Sequence, residues 1–249
     1  MEKAYDLQIF DTLPSTNTYL QELAEQGAPS GTAVLARHQT AGRGRMGRSF
    51  FSPSRTGLYM SLLLRLDESP ETALLLTPMA AVAAAEGIEA VTGKHVQIKW
   101  VNDLFLCGKK VCGILAQSKL SDDGKRLAYA VIGIGINLTA PQEGFPSELS
   151  EIAGALYEQG EQPSEGLLET LAEEILSRLM ELSRELTKRT YLPAYRERLC
   201  MLGRRITVAE QEQEAEATAL AVDDDLRLLV EYADGRREWR STGEIRIRL

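Results

Sequence analysis

The sequence predicts an α+β fold in which a mixed, largely antiparallel sheet packs with helices and a small β-barrel follows at the C-terminal end. Three strand candidates follow one another over residues 96–136, with turns too short for the helices of repeating β-α-β units. Apolar helical patterns lie on both sides of this meander. After Cys200 the chain changes to short strands and turn residues.

Composition places the chain among soluble globular proteins. It has 249 residues, 44% of them hydrophobic and 26% charged, and its formal net charge is -8. This length suits one large domain or two unequal ones, and we predict domains over residues 1–201 and 202–249. The negative charge argues against nonspecific nucleic-acid binding, which needs a basic face, but leaves room for a local basic pocket.

The N-terminal residues and the cysteines predict a cytoplasmic protein without a membrane segment. The first residues lack the basic and apolar regions of a signal peptide, and the longest apolar runs are interrupted short of a membrane span. The three cysteines form no C-x-x-C pair, which is typical of a reduced compartment. With two histidines in the chain, a zinc site of standard spacing is not expected.

Helices are predicted from apolar periodicity and from the residues that begin and end them. The first predicted helix is capped by Ser15, Thr16 or Asn17. Further helices are predicted over residues 71–91, 152–156 and 168–186. Gly27 ends the first helix and Gly93 the second, in which Pro78 is expected to mark a break or a late start. The leucine stripe of the last helix predicts core packing, because it is too short for a coiled coil.

Strands are predicted wherever apolar or alternating runs lie between turn residues. They cover residues 32–38, 57–66, 96–100, 110–118 and 127–136, and in the C-terminal region 204–209, 216–222, 227–232 and 237–240. Residues 102–108 and the pair Asp123-Gly124 are expected to form turns of the meander. The C-terminal strands predict the small barrel, with a domain boundary at residues 201–203.

The most distinctive segment is the loop from Ala41 to Arg48, in which three arginines alternate with three glycines. Ordering glycine is costly in entropy and the like charges repel, so we expect the loop to fold over an anion that arginine grips bidentately. A solvated surface turn is the alternative. The glycine spacing also matches the G-x-G-x-x-G dinucleotide motif, but residues 48–57 do not have the pattern of the helix that this motif requires.

Three further segments place polar or glycine residues in apolar surroundings. Lys99, Asn102 and Asp103 lie at the end of a strand, where a capped turn is the alternative to a binding role. Lys110 begins an apolar strand, from which its ammonium group could point into a cavity or into solvent. The Gly133-x-Gly135 pair indicates close approach of a ligand or another backbone, or else a bulge or tight helix–sheet packing.

In their order along the chain, these segments resemble the motifs of the biotin protein ligases. The matching motifs are Ser15-Thr16-Asn17, Gly42-Arg43-Gly44-Arg45-x-Gly47-Arg48 with Ser52-Pro53, Lys99-Trp100-x-Asn102-Asp103, Lys110-x-x-Gly113-Ile114-Leu115 and Gly133-x-Gly135-Ile136-Asn137. The resemblance covers about residues 10–140 and continues more faintly at 228–231 and at Thr242-Gly243-Glu244-Ile245. It implies a class II synthetase-like catalytic domain and a C-terminal SH3-like barrel.

The resemblance implies an enzyme that uses biotin and ATP as substrates, with Mg²⁺. The biotin carboxylate attacks the α-phosphate of ATP, which gives biotinyl-5′-adenylate and pyrophosphate. A lysine of a carrier protein then takes the biotinyl group and AMP leaves. The implied partner is the biotin carboxyl carrier domain of a biotin-dependent carboxylase, and the enzyme would be a monomer or a homodimer.

The family's residue roles carry over by position. The resemblance implies that biotin is contacted by Ser15, Thr16, Asn17, Gln39, Arg43, Gly44, Arg45 and Lys110. It implies that ATP and the adenylate are contacted by Arg48, Lys99, Asn102, Asp103 and Asn137. The catalytic residues would be Arg43, Arg45, Lys110 and Asp103, and Asp103 is the candidate to hold Mg²⁺ or its water. Fixed cations would stabilise the encounter of a carboxylate with a triphosphate.

The chain departs from the family pattern at three positions. Val101 stands where the family usually has proline, Phe50 where it often has tryptophan, and Gln117 where it frequently has glutamate. We expect activity with some change in affinity. Because the pattern begins at Ser15, the sequence also predicts a monofunctional ligase without a DNA-binding domain. The alternatives are a lipoate–protein ligase, a catalytically silent biotin-binding protein and an RNA-binding module.

Overall fold

A seven-stranded sheet forms the body of the protein in the computed structural model, which describes residues 3–161, 163–210, 213–241 and 244–247. Its strands are β1 (Asp6–Phe10), β2 (Thr32–Ala36), β3 (Gly57–Leu64), β4 (Gln97–Lys99), β5 (Asp103–Leu106), β6 (Lys109–Leu120) and β7 (Leu127–Asn137). Their order across the sheet is β1-β2-β3-β7-β6-β5-β4. The β1–β2 pair is parallel and the other pairs are antiparallel, which confirms the predicted mixed sheet.

Helices cover both faces of this sheet. They are α1 (Thr16–Glu25), α2 (Ala73–Thr92), α3 (Leu167–Ser183) and the short α4 (Leu192–Glu197). On one face Leu20 and Ala24 of α1 pack against odd-numbered residues of β3 and β7 such as Leu63. On the other face α2 and α3 form the larger core. All eight residues of β3 are therefore buried, as expected of a strand with two covered faces.

Helix α2 runs through Pro78 without a break and ends at Gly93, which adopts the left-handed conformation typical of a helix C-terminus. The predicted break at Pro78 is therefore wrong. The stretch Pro70–Thr92 is long and apolar enough to cross a membrane by length and composition alone, contrary to the sequence-based expectation. Its most apolar window is 67% buried inside the protein, which is typical of a core helix.

A second, five-stranded antiparallel sheet follows. It contains β8 (Arg205–Glu210), β9 (Gln213–Val222), β10 (Leu228–Tyr232), β11 (Arg237–Arg240) and β12 (Glu244–Ile247), in the order β11-β10-β9-β8-β12. The described pairings leave β11 and β12 at opposite edges, so closure into a barrel stays a prediction. The buried indole of Trp100 donates to the Leu226 carbonyl oxygen at 2.9 Å and joins this sheet to the body.

Two local predictions are wrong because pairing with distant residues overrides local pattern. Residues 102–108 were expected to form a turn, but they include β5, which pairs with both β4 and β6. Residues 152–156 are not helical. Their backbone pairs with Lys110 instead, because the Lys110 amide donates to Ile152 and the Gly154 amide donates to Lys110. This pairing fixes the backbone at the start of β6.

The three cysteines are free thiols in different surroundings. Cys107 is exposed in the turn between β5 and β6, whereas Cys112 and Cys200 are buried. Burial raises the pKa of both buried thiols above the usual range.

Candidate functional site

A cleft opens where the N-terminus of α1 meets the middle strands β3, β7 and β6. Its lining includes most of the residues that the sequence predicts: Ser15, Thr16, Asn17, Gln39, Arg43, Gly44, Arg45, Asn102 and Lys110. The remaining lining residues are Phe50, Met60, Gly113, Ile114, Leu115, Gly133, Ile134 and Gly135. Segments that are distant in sequence therefore meet at one place.

One end of the cleft is polar and uncharged. Ser15 caps α1, since its hydroxyl oxygen accepts from the Thr18 amide at 3.4 Å, as predicted for a capping residue. The Thr16 amide donates to Gln39 Oε1 at 2.9 Å, and Gln39 Nε2 donates to Ser52 Oγ at 3.0 Å. The helix terminus is thus tied to the segment that follows the arginine–glycine loop.

A row of three residues across the sheet holds the Asn17 side chain. Ser61, Gly133 and Leu115 lie side by side on β3, β7 and β6. Asn17 Oδ1 accepts from Ser61 Oγ at 2.6 Å, and Asn17 Nδ2 donates to the Leu115 carbonyl oxygen at 3.2 Å. Gly133 makes room for this amide, because a Cβ atom there would lie 2.0 Å from Asn17 Oδ1. Close approach at Gly133 is therefore by a side chain of the protein.

The next row on the same face holds the Phe50 ring. Tyr59, Gly135 and Gly113 lie side by side on the same three strands. A Cβ atom at Gly135 would lie 2.5 Å from the Phe50 ring, and one at Gly113 would lie 3.0 Å from it. The ring also meets Tyr59 edge to face at a centroid distance of 6.4 Å. Burial raises the pKa of Tyr59 to about 12, so its phenol stays neutral at physiological pH.

The other end of the cleft is cationic. Arg45 Nη1 donates to Asn102 Oδ1 at 2.8 Å, and Asn102 Nδ2 donates to Asp103 Oδ1 at 3.0 Å. Lys110 Nζ lies 2.7 Å from the same carboxylate oxygen, and both side chains of this pair are largely buried. These contacts connect the arginine–glycine loop, the turn after β4 and the start of β6.

The charge of the cleft is opposite to that of the whole protein. Arg43, Arg45 and Lys110 line it, and among the described residues no carboxylate does, although Asp103 lies directly behind Lys110. Such a concentration of cations in a chain of net charge -8 favours an anionic ligand. A dinucleotide-binding motif requires a helix that begins at its third glycine, here Gly47. No helix begins there, which agrees with the exclusion of this motif.

Besides Asp103, which lies behind Lys110, three predicted site residues do not line the cleft. Asn137 ends β7 and its side chain donates to the Gly154 carbonyl oxygen at 2.9 Å. Lys99 ends β4, with its ammonium nitrogen 5.7 Å from the centre of the Phe105 ring. Arg48 is exposed at the end of the loop, where its carbonyl oxygen accepts from the Gly44 amide. Of the fainter C-terminal motif, Thr242 and Gly243 lie outside the described residues.

Sequence reasoning missed two contributors to the site. Phe50 was noted only as a departure from a family pattern, yet its ring fills the space above two glycines. Ser61 is fully buried behind Thr16 and Asn17. Its signal in the sequence is a single serine in the apolar run of β3.

Comparison with known proteins agrees with this geometry. The model of the biotin/lipoate A/B protein ligase family matches residues 9–137, and that of the biotin protein ligase C terminal domain matches residues 201–248. The bifunctional ligase/repressor BirA of Escherichia coli is 30% identical over 240 residues, which cover 96% of this chain and 73% of BirA.

Two further likenesses define the extent of the match. BirA of Bacillus spizizenii is 45% identical over 146 residues, so the alignment covers 59% of this chain and 44% of that relative. The solved structure of the biotin protein ligase from Aquifex aeolicus in complex with biotin and ATP has a TM-score of 0.76 and 26% identity, and the match covers 98% of both chains. The predicted α+β fold class is thereby confirmed. By sequence and by fold, the chain belongs to the biotin protein ligase family.

Proposed function

We propose that the protein activates biotin with ATP and transfers the biotinyl group to a lysine of a biotin carboxyl carrier domain. The observation that carries this proposal is a single cleft with an uncharged hydrogen-bonding end and a cationic end. Biotin has the matching polarity, because a cyclic urea forms one end of the molecule and a carboxylate the other. ATP brings the second anion, and the two repel each other unless cations lie between them.

The urea of biotin suits the end of the cleft formed by α1. Ser15 Oγ accepts from a backbone amide, so its proton is available to the urea oxygen. Thr16, Asn17, Gln39 and Gly44 would complete this end. The carboxylate then points to Lys110, which would exchange part of its contact with Asp103 for the substrate.

The phosphates suit the cationic end. Arg43 and Arg45 would hold the α-phosphate and the adenylate, with Asn102 and Asp103 beside them. We assign the remaining nucleotide contacts to Arg48, Lys99 and Asn137, which lie around this end of the sheet.

Mg²⁺ would enter with ATP. In phosphoryl-transfer enzymes this ion is held by substrate phosphates and one or two carboxylates. Asp103 fits such a role, because its carboxylate lies beside the cleft. In the described part of the chain no three His, Cys, Asp or Glu side chains are grouped as metal ligands, so the donor set present suits an ion that the substrate brings.

The remaining features of the proposal follow from this chemistry. Biotinyl-5′-adenylate is a mixed anhydride and prone to hydrolysis. If the arginine–glycine loop closed over it, water would be excluded. We propose a cytoplasmic enzyme, monomeric or homodimeric, with a catalytic domain over residues 1–201 and a C-terminal domain over 202–249.

The test is pyrophosphate release after the pure protein is mixed with MgATP and biotin, with lipoate as the parallel substrate. Biotin-dependent release with biotinyl-5′-adenylate in the mass spectrum supports the proposal. Release with lipoate alone, or with neither acid, refutes it. Transfer is then measured with an isolated carrier domain.

Adjacent lysines supply a matched pair of variants. Lys110 lines the cleft, whereas Lys109 points away and donates to the Glu151 carbonyl oxygen at 2.7 Å. Lys110→Ala is expected to lower kcat/KM for pyrophosphate release about 100-fold or more, because an electrostatic contact to the reacting groups is lost. Lys109→Ala should leave it within about twofold, since surface substitutions rarely act at a distance.

A further inference from the structure

Tyr195 is a buried phenol on α4, outside every motif that the sequence predicts. Its side chain is 0% exposed, and its hydroxyl group donates to the Val101 carbonyl oxygen at 3.3 Å. Burial raises the pKa of Tyr195 well above its usual range, so the hydroxyl group keeps its proton for this bond. Neither residue lines the cleft, so any part that Tyr195 plays in the site must pass through the neighbours of Val101.

Val101 is the middle residue of a turn that leads to the cationic end of the cleft. The residue before it, Trp100, joins the turn to the second sheet through its indole nitrogen. The residue after it, Asn102, lines the cleft and accepts at Oδ1 from Arg45 Nη1 at 2.8 Å. The Tyr195 hydroxyl group therefore holds the backbone directly before a residue of the site.

Two hydrogen bonds fix the backbone on either side of the Asn102 side chain. A peptide group is planar, so a bond to its carbonyl oxygen restrains the whole group. Tyr195 restrains the group that joins Val101 to Asn102. The Ile114 amide restrains the next group, because it donates to the Asn102 carbonyl oxygen at 3.0 Å. Together the two bonds set the direction in which the Asn102 side chain leaves the backbone.

Helix α4 is a firm support for the Tyr195 hydroxyl group, because the residues that follow Tyr195 are tied to both sheets. Arg196 Nε donates to the Val222 carbonyl oxygen of β9 at 2.9 Å. The Arg198 carbonyl oxygen accepts from the Ile98 amide of β4 at 2.7 Å. The phenol is thus held relative to the strand that precedes the turn.

We propose that Tyr195 is a positioning residue for the nucleotide end of the cleft, because it fixes the peptide group from which Asn102 projects toward the phosphates. The inference rests on the proposed function, in which Asn102 contacts ATP and the adenylate. Tyr195 touches no reacting group and acts through Asn102 alone. The polar end of the cleft is built on α1, so the effect should fall on ATP and not on biotin.

The test is Tyr195→Phe, which removes the hydroxyl group and keeps the ring. Steady-state pyrophosphate release is measured against MgATP and against biotin. KM for MgATP should rise about fivefold, as expected for the loss of one hydrogen bond, whereas KM for biotin should stay within about twofold. In an Asn102→Ala background the same change should cause no further rise, because the side chain that it positions is gone.

Tyr191→Phe is the matched control, four residues earlier in the chain. Tyr191 is 2% exposed, and its hydroxyl group donates to the Leu75 carbonyl oxygen at 3.2 Å, in the first turn of α2. Each variant removes one buried hydroxyl group that is bonded to a backbone carbonyl oxygen, so the two should lower Tm by similar amounts. Tyr191→Phe should leave both KM values unchanged, since Leu75 does not adjoin the cleft.

The outcomes separate the two proposals. The role of Tyr195 is overturned if Tyr195→Phe leaves KM for MgATP unchanged or raises both KM values equally, or if Tyr191→Phe raises KM for MgATP as much. A further rise in the Asn102→Ala background overturns it too, and so does a Tyr195→Phe protein that fails to fold beside a folded Tyr191→Phe protein. Absence of pyrophosphate release from the wild-type protein with MgATP and biotin overturns the proposed function itself.

Discussion

Gly133→Ala tests the geometry on which the polar end of the cleft depends. The new Cβ atom would lie 2.0 Å from Asn17 Oδ1 and 2.8 Å from its Cγ, with the carbonyl oxygen of the amide pressed against the sheet. Real Cβ contacts are not that short, so Asn17 must leave its place. It would lose its bonds to Ser61, Leu115 and Gln117.

The magnitude follows from these contacts. Because Asn17 leaves its place, the clash is relieved and the cost is that of three lost hydrogen bonds, at about 1 kcal/mol each. We expect the free energy of unfolding to fall by about 3 kcal/mol, which lowers Tm by about 6–12 °C for a domain of this size. Biotin binding should weaken as well, because Asn17 lies in the first turn of the helix that carries the polar end.

A double-mutant cycle separates this clash from a general effect on β7. In an Asn17→Ala background the new methyl group has space, so Gly133→Ala should cost less than about 1 kcal/mol there. Urea unfolding of the four proteins measures the coupling free energy. If Gly133→Ala costs the same in both backgrounds, the reasoning from the Asn17 contact is refuted.

Three other predictions address the loop, the second sheet and the thiols. Arg45→Ala should lower the Tm of the ligand-free protein by less than about 3 °C, because one partly exposed hydrogen bond is lost. The same variant should abolish most of the Tm increase that biotin and MgATP give. Equal losses of Tm without and with these ligands would contradict this prediction. Trp100→Phe removes the buried bond to Leu226 and should destabilise the protein by about 1–2 kcal/mol in urea, whereas Trp239→Phe, at a side chain 42% exposed, should change it by less than about 0.5 kcal/mol. Burial raises the pKa of the Cys112 and Cys200 thiols and keeps them protonated, so only Cys107 should react with maleimide at pH 7 in the native protein. After denaturation all three thiols should react. Two or more fast-reacting thiols in the native protein would show that this burial is wrong.

Elements with strong local signals were predictable from the sequence. The first helix is capped by Ser15, one of the three expected candidates, and the leucine stripe of α3 is buried in the core. Local chemistry decides such features, because capping groups and apolar periodicity act within one or two helical turns. The same holds for the motif residues Arg45 and Lys110, whose clustering in order along the chain already indicated an anion site.

Features that depend on pairing across the sheet were not predictable. Residues 152–156 have an alanine-rich pattern suited to a helix, yet their backbone completes the start of β6 beside Lys110. Asn137 and Lys99 belong to recognised motifs, but the ends of their strands lie outside the cleft lining. A strand's register determines which residues of neighbouring strands lie side by side, and it is complete only when distant strands pair.

The sequence by itself determined the family, the fold class and the concentration of cations in one loop and one strand. The tertiary structure alone decided that Gly133 makes room for Asn17, that Gly135 makes room for Phe50, and that the buried Ser61 hydrogen-bonds to Thr16 and Asn17. The physical reason is that propensity and charge are properties of neighbouring residues. Close contacts and hydrogen-bond directions arise only when strands β3, β7 and β6 bring residues far apart in the chain into one row.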